Sequence, residues 1–221
     1  MAIQAVFFDL DGTLVDSNEM HVLAWQEAFR SVGTEFDRQV IHDQIGKGAD
    51  MLVPALMPDA DETQQDRLAK AHDEVFKAKF LNQVGALPGA HDLLARVHAA
   101  GQTVVFASSA SAEDLEHYID LLAARDLVGA MTSADEVEHT KPAPDIFAAA
   151  LEKVAPLTAS EVIVVGDTPF DIEAAAKCGI ATVAVRSGGF PDEALRGAGA
   201  VALYDDAAAL LADYDRSPLS R

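Results

Sequence analysis

Six short apolar runs divide the chain at intervals that few folds can accommodate. They lie at residues 5–8, 103–107, 128–131, 162–165, 181–185 and 200–203. Unbroken apolar runs of this length are typical of strands that are buried on both faces of a parallel sheet. Single helical segments separate the runs from the second onward, at residues 91–100, 112–123, 145–154 and 171–178. This βαβα order predicts an α/β fold with a doubly wound, Rossmann-like parallel sheet as its core.

The interval between the first and second apolar runs, residues 15–87, is far longer than one crossover helix requires. Its sequence has helical periodicity, which starts with the capping-box-like pair Asp16 and Glu19 and continues to Gly33. Further helical stretches are expected at residues 37–44, 49–56 and 61–80. We therefore predict an all-helical cap domain, hinges included, at residues 15–87. The catalytic core would then comprise residues 1–14 and 88–221.

The chain carries 36 acidic and 16 basic residues, which gives a formal net charge of -20 at pH 7. Such a surface repels nucleic acid and anionic membranes, and no apolar run approaches the ~20 residues that cross a bilayer. The N-terminus lacks a secretory signal pattern and Cys178 is the single cysteine. We expect a cytoplasmic monomer or homodimer without a disulfide, ordered except at residues 217–221.

Polar side chains follow the predicted strands at the points where the strands end. They are Asp9, Asp11 and Thr13 after the first strand, Ser108 and Ser109 after the second, and Asp167 and Asp171 after the fourth. Lys141 stands in a proline-constrained loop just before a helix. Because the ends of parallel strands meet at one edge of a sheet, and ligands bind there, these residues are predicted to form a site.

This set resembles the haloacid dehalogenase-like superfamily, in the branch of phosphoglycolate phosphatases and β-phosphoglucomutases that carry a helical cap. Its phosphatases have a DxDGT motif, a Ser or Thr after the second strand, a Lys and a GDxxxD motif, in that order. The chain has Asp9-Leu10-Asp11-Gly12-Thr13, Ser108, Lys141 and Gly166-Asp167 with Asp171 at the matching places. The resemblance covers nearly the whole chain and implies a phosphatase that acts on a small phosphorylated metabolite.

By this resemblance Asp9 attacks phosphorus to form an aspartyl-phosphate, and Asp11 acts as general acid and then as general base. Carboxylates that face a phosphate require a hard divalent cation. The resemblance implies Mg²⁺, held by Asp9, the Asp11 backbone carbonyl and Asp167, with Asp171 close by or bonded through water. Asp171 also suits the first turn of the helix after Pro169, where a carboxylate is favoured.

The remaining roles concern substrate binding. Lys141 would neutralise the nucleophile and the phosphate, and Ser108 would donate a hydrogen bond to a phosphoryl oxygen. Ser109 and Thr13 are expected as secondary contacts, although Thr13 could instead bond the Asp9 carboxylate or cap its turn.

Two cap residues are candidates for contact with the leaving group. Lys47 lies between two glycines in a loop that could close over the site. His21 either contacts substrate or packs against Trp25. The other histidines show no metal-ligand spacing and are interpreted as surface or satisfied residues: His42, His72, His91, His98, His117 and His139.

Three other functions are compatible with parts of this pattern. A dehalogenase of this superfamily lacks the second carboxylate of the DxD motif, so Asp11 argues against it. A β-phosphoglucomutase-like mutase needs a cap arginine for a second phosphate, and that position falls on Ala49. A non-catalytic, phospho-ligand-binding regulator could keep the fold, but the complete set of Asp9, Asp11, Lys141 and Asp167 favours catalysis.

Overall fold

The structure, a computed structural model, describes residues 2–221. Its strands are β1 Ala5–Phe8, β2 Val15–Asp16, β3 Gly85–Ala86, β4 Thr103–Ala107, β5 Val128–Thr132, β6 Val162–Gly166, β7 Ala181–Val185 and β8 Ala202–Tyr204. Six of them form one parallel sheet in the order β5-β4-β1-β6-β7-β8. The predicted doubly wound sheet is confirmed, and the strand order reverses at β1, where β4 and β6 flank the first strand.

The helices are α1 Asn18–Ser31, α2 Arg38–His42, α3 Ala49–Leu56, α4 Glu62–Lys79, α5 Ala90–Ala99, α6 Ala112–Leu121, α7 Asp145–Lys153, α8 Pro169–Lys177, α9 Asp192–Ala198 and α10 Ala207–Ala212. The last six, α5 to α10, cover the two faces of the sheet. Side chains of β1 alternate between two clusters of buried residues: Val6 and Phe8 pack with α5, α6 and α10, whereas Ala5 and Phe7 pack with α7 and α8. Within residues 2–221 no helix is long and apolar enough to span a membrane.

The predicted capping box at the start of α1 is wrong. Ser17 is the residue that precedes the helix, and its side chain makes no capping hydrogen bond. Asp16 lies in β2, and Ser17 donates its hydroxyl to the Asp11 carboxylate at 2.5 Å instead. Glu19 pairs with Arg38 of α2. The Ser17 hydroxyl precedes the helix, but it bonds the carboxylate of Asp11 and does not cap the helix end.

The expected disorder at residues 217–221 is also not what the structure shows. Leu219 is fully buried in the same cluster as α5 and α10. The Gln102 amide donates to the Leu219 carbonyl at 2.7 Å, and the Ile3 backbone amide donates to the Arg221 carbonyl at 2.8 Å. A buried leucine and two hydrogen bonds therefore hold this end of the chain in place.

Helices α1 to α4 surround a separate cluster of buried residues. Trp25, Phe29, Leu52 and Leu68 belong to it, and none of them is shared with the two clusters on the sheet. The short antiparallel pair β2 and β3 joins the segment to the sheet at both of its ends. The division at residues 14/15 and 87/88 stays a prediction, which this separate cluster supports.

Trp25 provides a direct probe of this cluster because it is the single tryptophan of the chain. We predict that Leu68→Ala lowers the free energy of unfolding by about 2–5 kcal/mol, since it removes a fully buried side chain. Urea unfolding followed by tryptophan fluorescence would measure the change. Val40→Ala, at an exposed position of α2, should alter the same quantity by less than about 0.5 kcal/mol. Equal effects of the two variants would contradict the assignment.

Candidate active site

Three buried carboxylates meet at the carboxyl ends of β1 and β6. Asp9 directly follows β1, Asp167 directly follows β6, and Asp171 lies in the first turn of α8. One oxygen from each lies within 4.8 Å of the others. Adjacent parallel strands bring the first two together, and the short connection from β6 to α8 brings the third. The sequence prediction that these residues converge at the strand ends agrees with this geometry.

Lys141 is fully buried between these carboxylates and is not a solvated loop lysine. Its ammonium donates to Asp9 Oδ1 and lies 2.8 Å from Asp171 Oδ1. Burial alone would lower the pKa of Lys141, but the negative charges of Asp171 and Asp9 raise it above its ordinary value. The lysine is therefore held in its charged form, as a fixed positive charge beside Asp9.

The single ammonium does not neutralise the cluster. Burial and the charges of Asp171 and Asp11 raise the pKa of Asp9 to about 7, even though Lys141 acts in the opposite direction. Burial, together with the charges of Asp171 and Asp9, raises the pKa of Asp167 well above its ordinary value. Buried carboxylates that lack compensation are costly unless a cation accompanies them. The three oxygens are hard ligands of the kind that Mg²⁺ takes, so the donor set fits this ion.

Asp167 is held in place by its neighbours. The Thr13 hydroxyl donates to Oδ1 at 2.9 Å, and the Asn18 amide donates to Oδ2 at 3.0 Å. Thr13 therefore bonds Asp167 and not Asp9, which was one of its expected partners. A Cβ atom on Gly188 would lie 1.7 Å from Asp167 Oδ2, so the backbone approaches this carboxylate more closely than any other residue type permits.

Asp171 performs two tasks with its two oxygens. Oδ2 accepts from the Thr168 backbone amide at 3.0 Å and from the Thr168 hydroxyl at 2.7 Å, which forms a capping box at the start of α8. Oδ1 faces Lys141. The helix end and the charge cluster are thus fixed by the same side chain.

Asp11 lies beside Asp9 and accepts three hydrogen bonds at one oxygen. The donors are the Ser17 hydroxyl at 2.5 Å, the Tyr118 hydroxyl at 3.0 Å and the His21 ring, whose Nε2 lies 3.2 Å away. Burial alone would raise the pKa of Asp11, but His21, Ser17 and Tyr118 together hold it below its ordinary value. These donors favour the ionised form of Asp11, which is the form that accepts a proton from water, so Asp11 must bind a proton before it can act as an acid.

Two histidines continue the contacts of Asp11 into the helical segment. His21 Nδ1 lies 3.2 Å from His72 Nε2, and the His21 ring stacks on Phe76 with centroids 4.0 Å apart. Trp25 stacks on His72 at 4.2 Å, not on His21. Burial, followed by the charge of His21, lowers the pKa of His72 well below its ordinary value. Our interpretation of His72 as a surface or satisfied residue missed its place beside the site.

A cavity of about 400 Å³ lies between the helical segment and the strand ends. The predicted site residues on its wall are Asp9, Asp11, His21, Lys47, Ser108 and Ser109. Ser108 is buried and accepts from the Ala110 backbone amide at 3.1 Å, which leaves its own hydroxyl hydrogen available. The other four predicted site residues do not border the cavity. They are Thr13, Lys141, Asp167 and Asp171.

Several residues of the site were not identified from the sequence. His72 and Phe76 are four residues apart and therefore share one face of α4, a spacing that could have paired them. Asn18 and Tyr118 carry no comparable signal. Their partners, Asp167 and Asp11, are distant in the sequence, and only the packing of the segments brings them together.

The close approach at Gly188 generates a stability prediction. We expect Gly188→Ala to lower the free energy of unfolding by about 1–3 kcal/mol, because the new methyl group must displace Asp167 or the backbone. Gly197→Ala is the matched control, since it lies inside α9 with no atom within 4 Å of the added Cβ. It should stabilise the protein by about 0.5–1 kcal/mol. Urea unfolding of both variants would show opposite signs.

Comparison with known proteins identifies relatives along nearly the whole chain. The sequence is 29% identical over 182 residues to the fructose-1-phosphate phosphatase of Escherichia coli, with 82% of this chain and 95% of that protein covered. It is 29% identical over 223 residues to the phosphoglycolate phosphatase of Rhodospirillum rubrum, covering 94% and 89%. A hydrolase from Pseudomonas syringae has a similar structure, with a TM-score of 0.89, 30% identity and coverage of 96% and 98%.

The family assignment agrees with the site. The sequence model of haloacid dehalogenase-like hydrolases matches residues 6–185, which include Asp9, Lys141 and Asp171. This match spans the strands of the sheet from β1 to β7 and the helical segment inserted between β1 and β4. The chain belongs to the haloacid dehalogenase-like hydrolase family.

Proposed function

We propose that this protein is a Mg²⁺-dependent phosphatase that hydrolyses a small phosphorylated metabolite through an aspartyl-phosphate on Asp9. The observation that carries the proposal is the position of Asp9. Its carboxylate borders the cavity on one side and accepts from the buried Lys141 ammonium on the other. A carboxylate fixed in this way can attack a phosphorus atom that enters the cavity.

The reaction has two steps. In the first, a carboxylate oxygen of Asp9 bonds to phosphorus while the bond from phosphorus to the leaving oxygen breaks, and Asp11, which is protonated at this stage, supplies the proton that this oxygen takes up. In the second, water attacks phosphorus, Asp11 accepts the proton of the water, and the bond to Asp9 breaks to release inorganic phosphate. Asp11 is suited to both steps because it borders the same cavity beside Asp9.

Mg²⁺ would be held by Asp9, Asp167 and Asp171 together with the Asp11 backbone carbonyl. The ion would supply positive charge that balances the carboxylates and the phosphoryl oxygens. The composition of the cluster supports this role, because it holds three buried carboxylates and one ammonium group, that of Lys141.

Lys141 would hold Asp9 in its attacking position, and Ser108 would donate its free hydroxyl hydrogen to a phosphoryl oxygen. Ser109 and Lys47 border the cavity and stay predicted substrate contacts. His21 is a positioning residue for Asp11 in this proposal, since its Nε2 contacts that carboxylate.

Hydrolysis is favoured over a mutase reaction. Ala49, at the position predicted for the mutase arginine, borders the cavity and offers no charge for a second phosphate. Relatives named as phosphatases, one for fructose 1-phosphate and one for phosphoglycolate, support the same conclusion. The cytoplasmic location, the monomeric or homodimeric state and the lack of nucleic acid or membrane partners stay predictions from the sequence.

The nucleophile can be tested with p-nitrophenyl phosphate in the presence of Mg²⁺. We expect Asp9→Asn to reduce kcat by about 10³-fold or more, because the amide cannot form the phosphoryl bond. Asp92→Asn, an exposed position of α5, is the control and should retain the wild-type rate. Activity that survives in Asp9→Asn would contradict the role of Asp9. A wild-type protein without turnover would instead favour the phospho-ligand-binding regulator.

The metal can be tested without measuring activity. After treatment with EDTA, added Mg²⁺ should raise the Tm of the wild-type protein by ~2–4 °C for each kcal/mol of binding free energy. The rise should be lost in Asp167→Asn, because one ligand is removed, and kept in Asp92→Asn. If Asp167→Asn responds to Mg²⁺ like the wild type, the ion does not bind at this cluster.

A further inference from the structure

The three carboxylates of the buried cluster do not have the same kind of partner. Lys141 pairs with two of them, whereas Asp167 has no cationic partner within residues 2–221. The oxygens of Asp167 instead accept one hydrogen bond each from a neutral group, from the Thr13 hydroxyl at Oδ1 and from the Asn18 amide at Oδ2. The orientation of Asp167 therefore depends on two uncharged side chains.

The two donors come from different parts of the chain. Thr13 lies in the turn that follows β1, close to the cluster in sequence, whereas Asn18 is the first residue of α1 and is separated from Asp167 by 149 positions. Within residues 2–221, Asn18 is the one side chain of the helical segment that donates a hydrogen bond to this cluster. The helical segment therefore reaches a candidate metal ligand through a single amide group.

The contact between Asn18 and Asp167 is tightly enclosed. Asn18 is 7% exposed and Asp167 is fully buried. A Cβ atom on Gly12 would lie 2.3 Å from Asn18 Nδ2 and 2.3 Å from Asp167 Oδ2, and one on Gly188 would lie closer still to the same oxygen. Glycine backbone thus packs on the hydrogen bond directly. A hydrogen bond to a carboxylate that is shielded from solvent in this way is a strong one.

The orientation of the Asn18 amide is set by its surroundings. Its nitrogen faces two acceptors, Asp167 Oδ2 and the Gly188 carbonyl oxygen at 3.4 Å. Rotating the amide by half a turn would place an oxygen against both of them, which is unfavourable because neither can donate.

The other atom of this amide, Asn18 Oδ1, is buried and has no hydrogen-bond partner within residues 2–221. Buried polar atoms without a partner are rare and unfavourable. Asparagine is also a poor helix former, and Ser17 rather than Asn18 occupies the position before the helix. The stability of α1 therefore does not account for this residue, whereas the bonds of its nitrogen do.

A second side chain of the helical segment contacts the Gly188 carbonyl but not Asp167. His42, at the end of α2, has its Nε2 3.1 Å from this carbonyl oxygen, and its ring lies 5.2 Å from that of Phe190. Because a carbonyl can only accept, His42 is the donor. Both Asn18 and His42 thus dock the segment on the loop after β7, and only Asn18 also bonds the carboxylate.

We propose that Asn18 is a positioning residue for Mg²⁺, whose amide fixes Asp167 Oδ2 so that the helical segment contributes to the affinity of the core carboxylates for the ion. This inference rests on the proposed function, in which Asp167 is a metal ligand, and it adds a residue that lies outside the four sequence motifs. Outer partners that orient a ligating carboxylate typically change metal affinity by about 10–100-fold when they are removed.

The proposal is tested with Asn18→Leu, which keeps the branched shape of the side chain and removes its donor. The dissociation constant of Mg²⁺ for the EDTA-treated protein should rise about 10–100-fold. It is obtained from the increase of Tm with Mg²⁺ concentration, measured from the Tm in EDTA, because this increase depends on the ratio of concentration to dissociation constant. Asn18→Ala, which is too small to clash with Gly12, should weaken Mg²⁺ binding in the same way.

Two control variants separate this role from general effects. Asn82→Leu makes the same change at an exposed position of the helical segment and should bind Mg²⁺ like the wild type. His42→Ala removes the other donor to the Gly188 carbonyl without touching Asp167 and should also keep the wild-type dissociation constant.

Turnover of p-nitrophenyl phosphate provides a second measurement. In Asn18→Leu, the Mg²⁺ concentration that gives half of the maximal rate should rise by the same factor as the dissociation constant. A loss of folded protein would lower the rate at every Mg²⁺ concentration and would leave this midpoint unchanged.

The outcomes distinguish this inference from the function on which it rests. If both Asn18 variants bind Mg²⁺ as the wild type does, Asn18 is not a positioning residue, and the proposed function stands. If His42→Ala weakens Mg²⁺ binding as much as Asn18→Leu, the effect comes from docking of the segment, and the role of the bond to Asp167 is overturned. A wild-type protein that does not respond to Mg²⁺ would overturn the proposed metal site itself.

Discussion

The ion pair of Lys141 with Asp9 and Asp171 is the interaction on which the site depends. All three side chains are buried, so the charges cannot be balanced by water. An unpaired charge at this depth would cost several kcal/mol, which makes the geometry of the three groups mutually dependent. The lysine fixes the position of Asp9, and Asp171 fixes the lysine. Removing the lysine would leave the buried carboxylates Asp9, Asp167 and Asp171 without a positive charge among them.

The fold provides this arrangement through the ends of its secondary structure. Asp9 and Asp167 are neighbours because β1 and β6 are neighbours in the sheet. Asp171 is held because its second oxygen caps α8 through Thr168. Backbone approach at Gly188 closes the opposite side of Asp167. The three carboxylates are therefore anchored to strand ends and a helix start, and Lys141 reaches them from the loop before α7.

The helical segment and the sheet contribute differently to the cavity. The sheet supplies the carboxylates and Lys141, whereas α1 and α4 supply the rings of His21 and His72 that extend from Asp11 into the segment. Asp11 is shared, since Tyr118 of α6 and His21 of α1 contact the same oxygen. Asp11 therefore has hydrogen-bond donors from both the helical segment and the core.

The sequence by itself determined the sheet, the family and the main carboxylates. Apolar runs identify buried strands, because strands covered on both faces have no polar positions, and the ends of parallel strands must lie at one edge. Asp9, Asp11 and Asp167 follow from that rule and from motifs directly beside the strands, whereas Lys141, in the loop before α7, follows from the order of the family motifs. Patterns of this kind can be recognised from the sequence because all of their residues lie close together in the chain.

Only the tertiary structure decided which groups touch. The sequence assigned Ser17 no role beside Asp11, left Thr13 open between a contact with Asp9, a turn cap and a substrate contact, and gave no indication that Asn18 would donate to Asp167. Each of these contacts joins segments whose relative position depends on the packing of the whole chain. Hydrogen bonds are made over about 3 Å, and neither apolar periodicity nor motif spacing specifies positions to that precision.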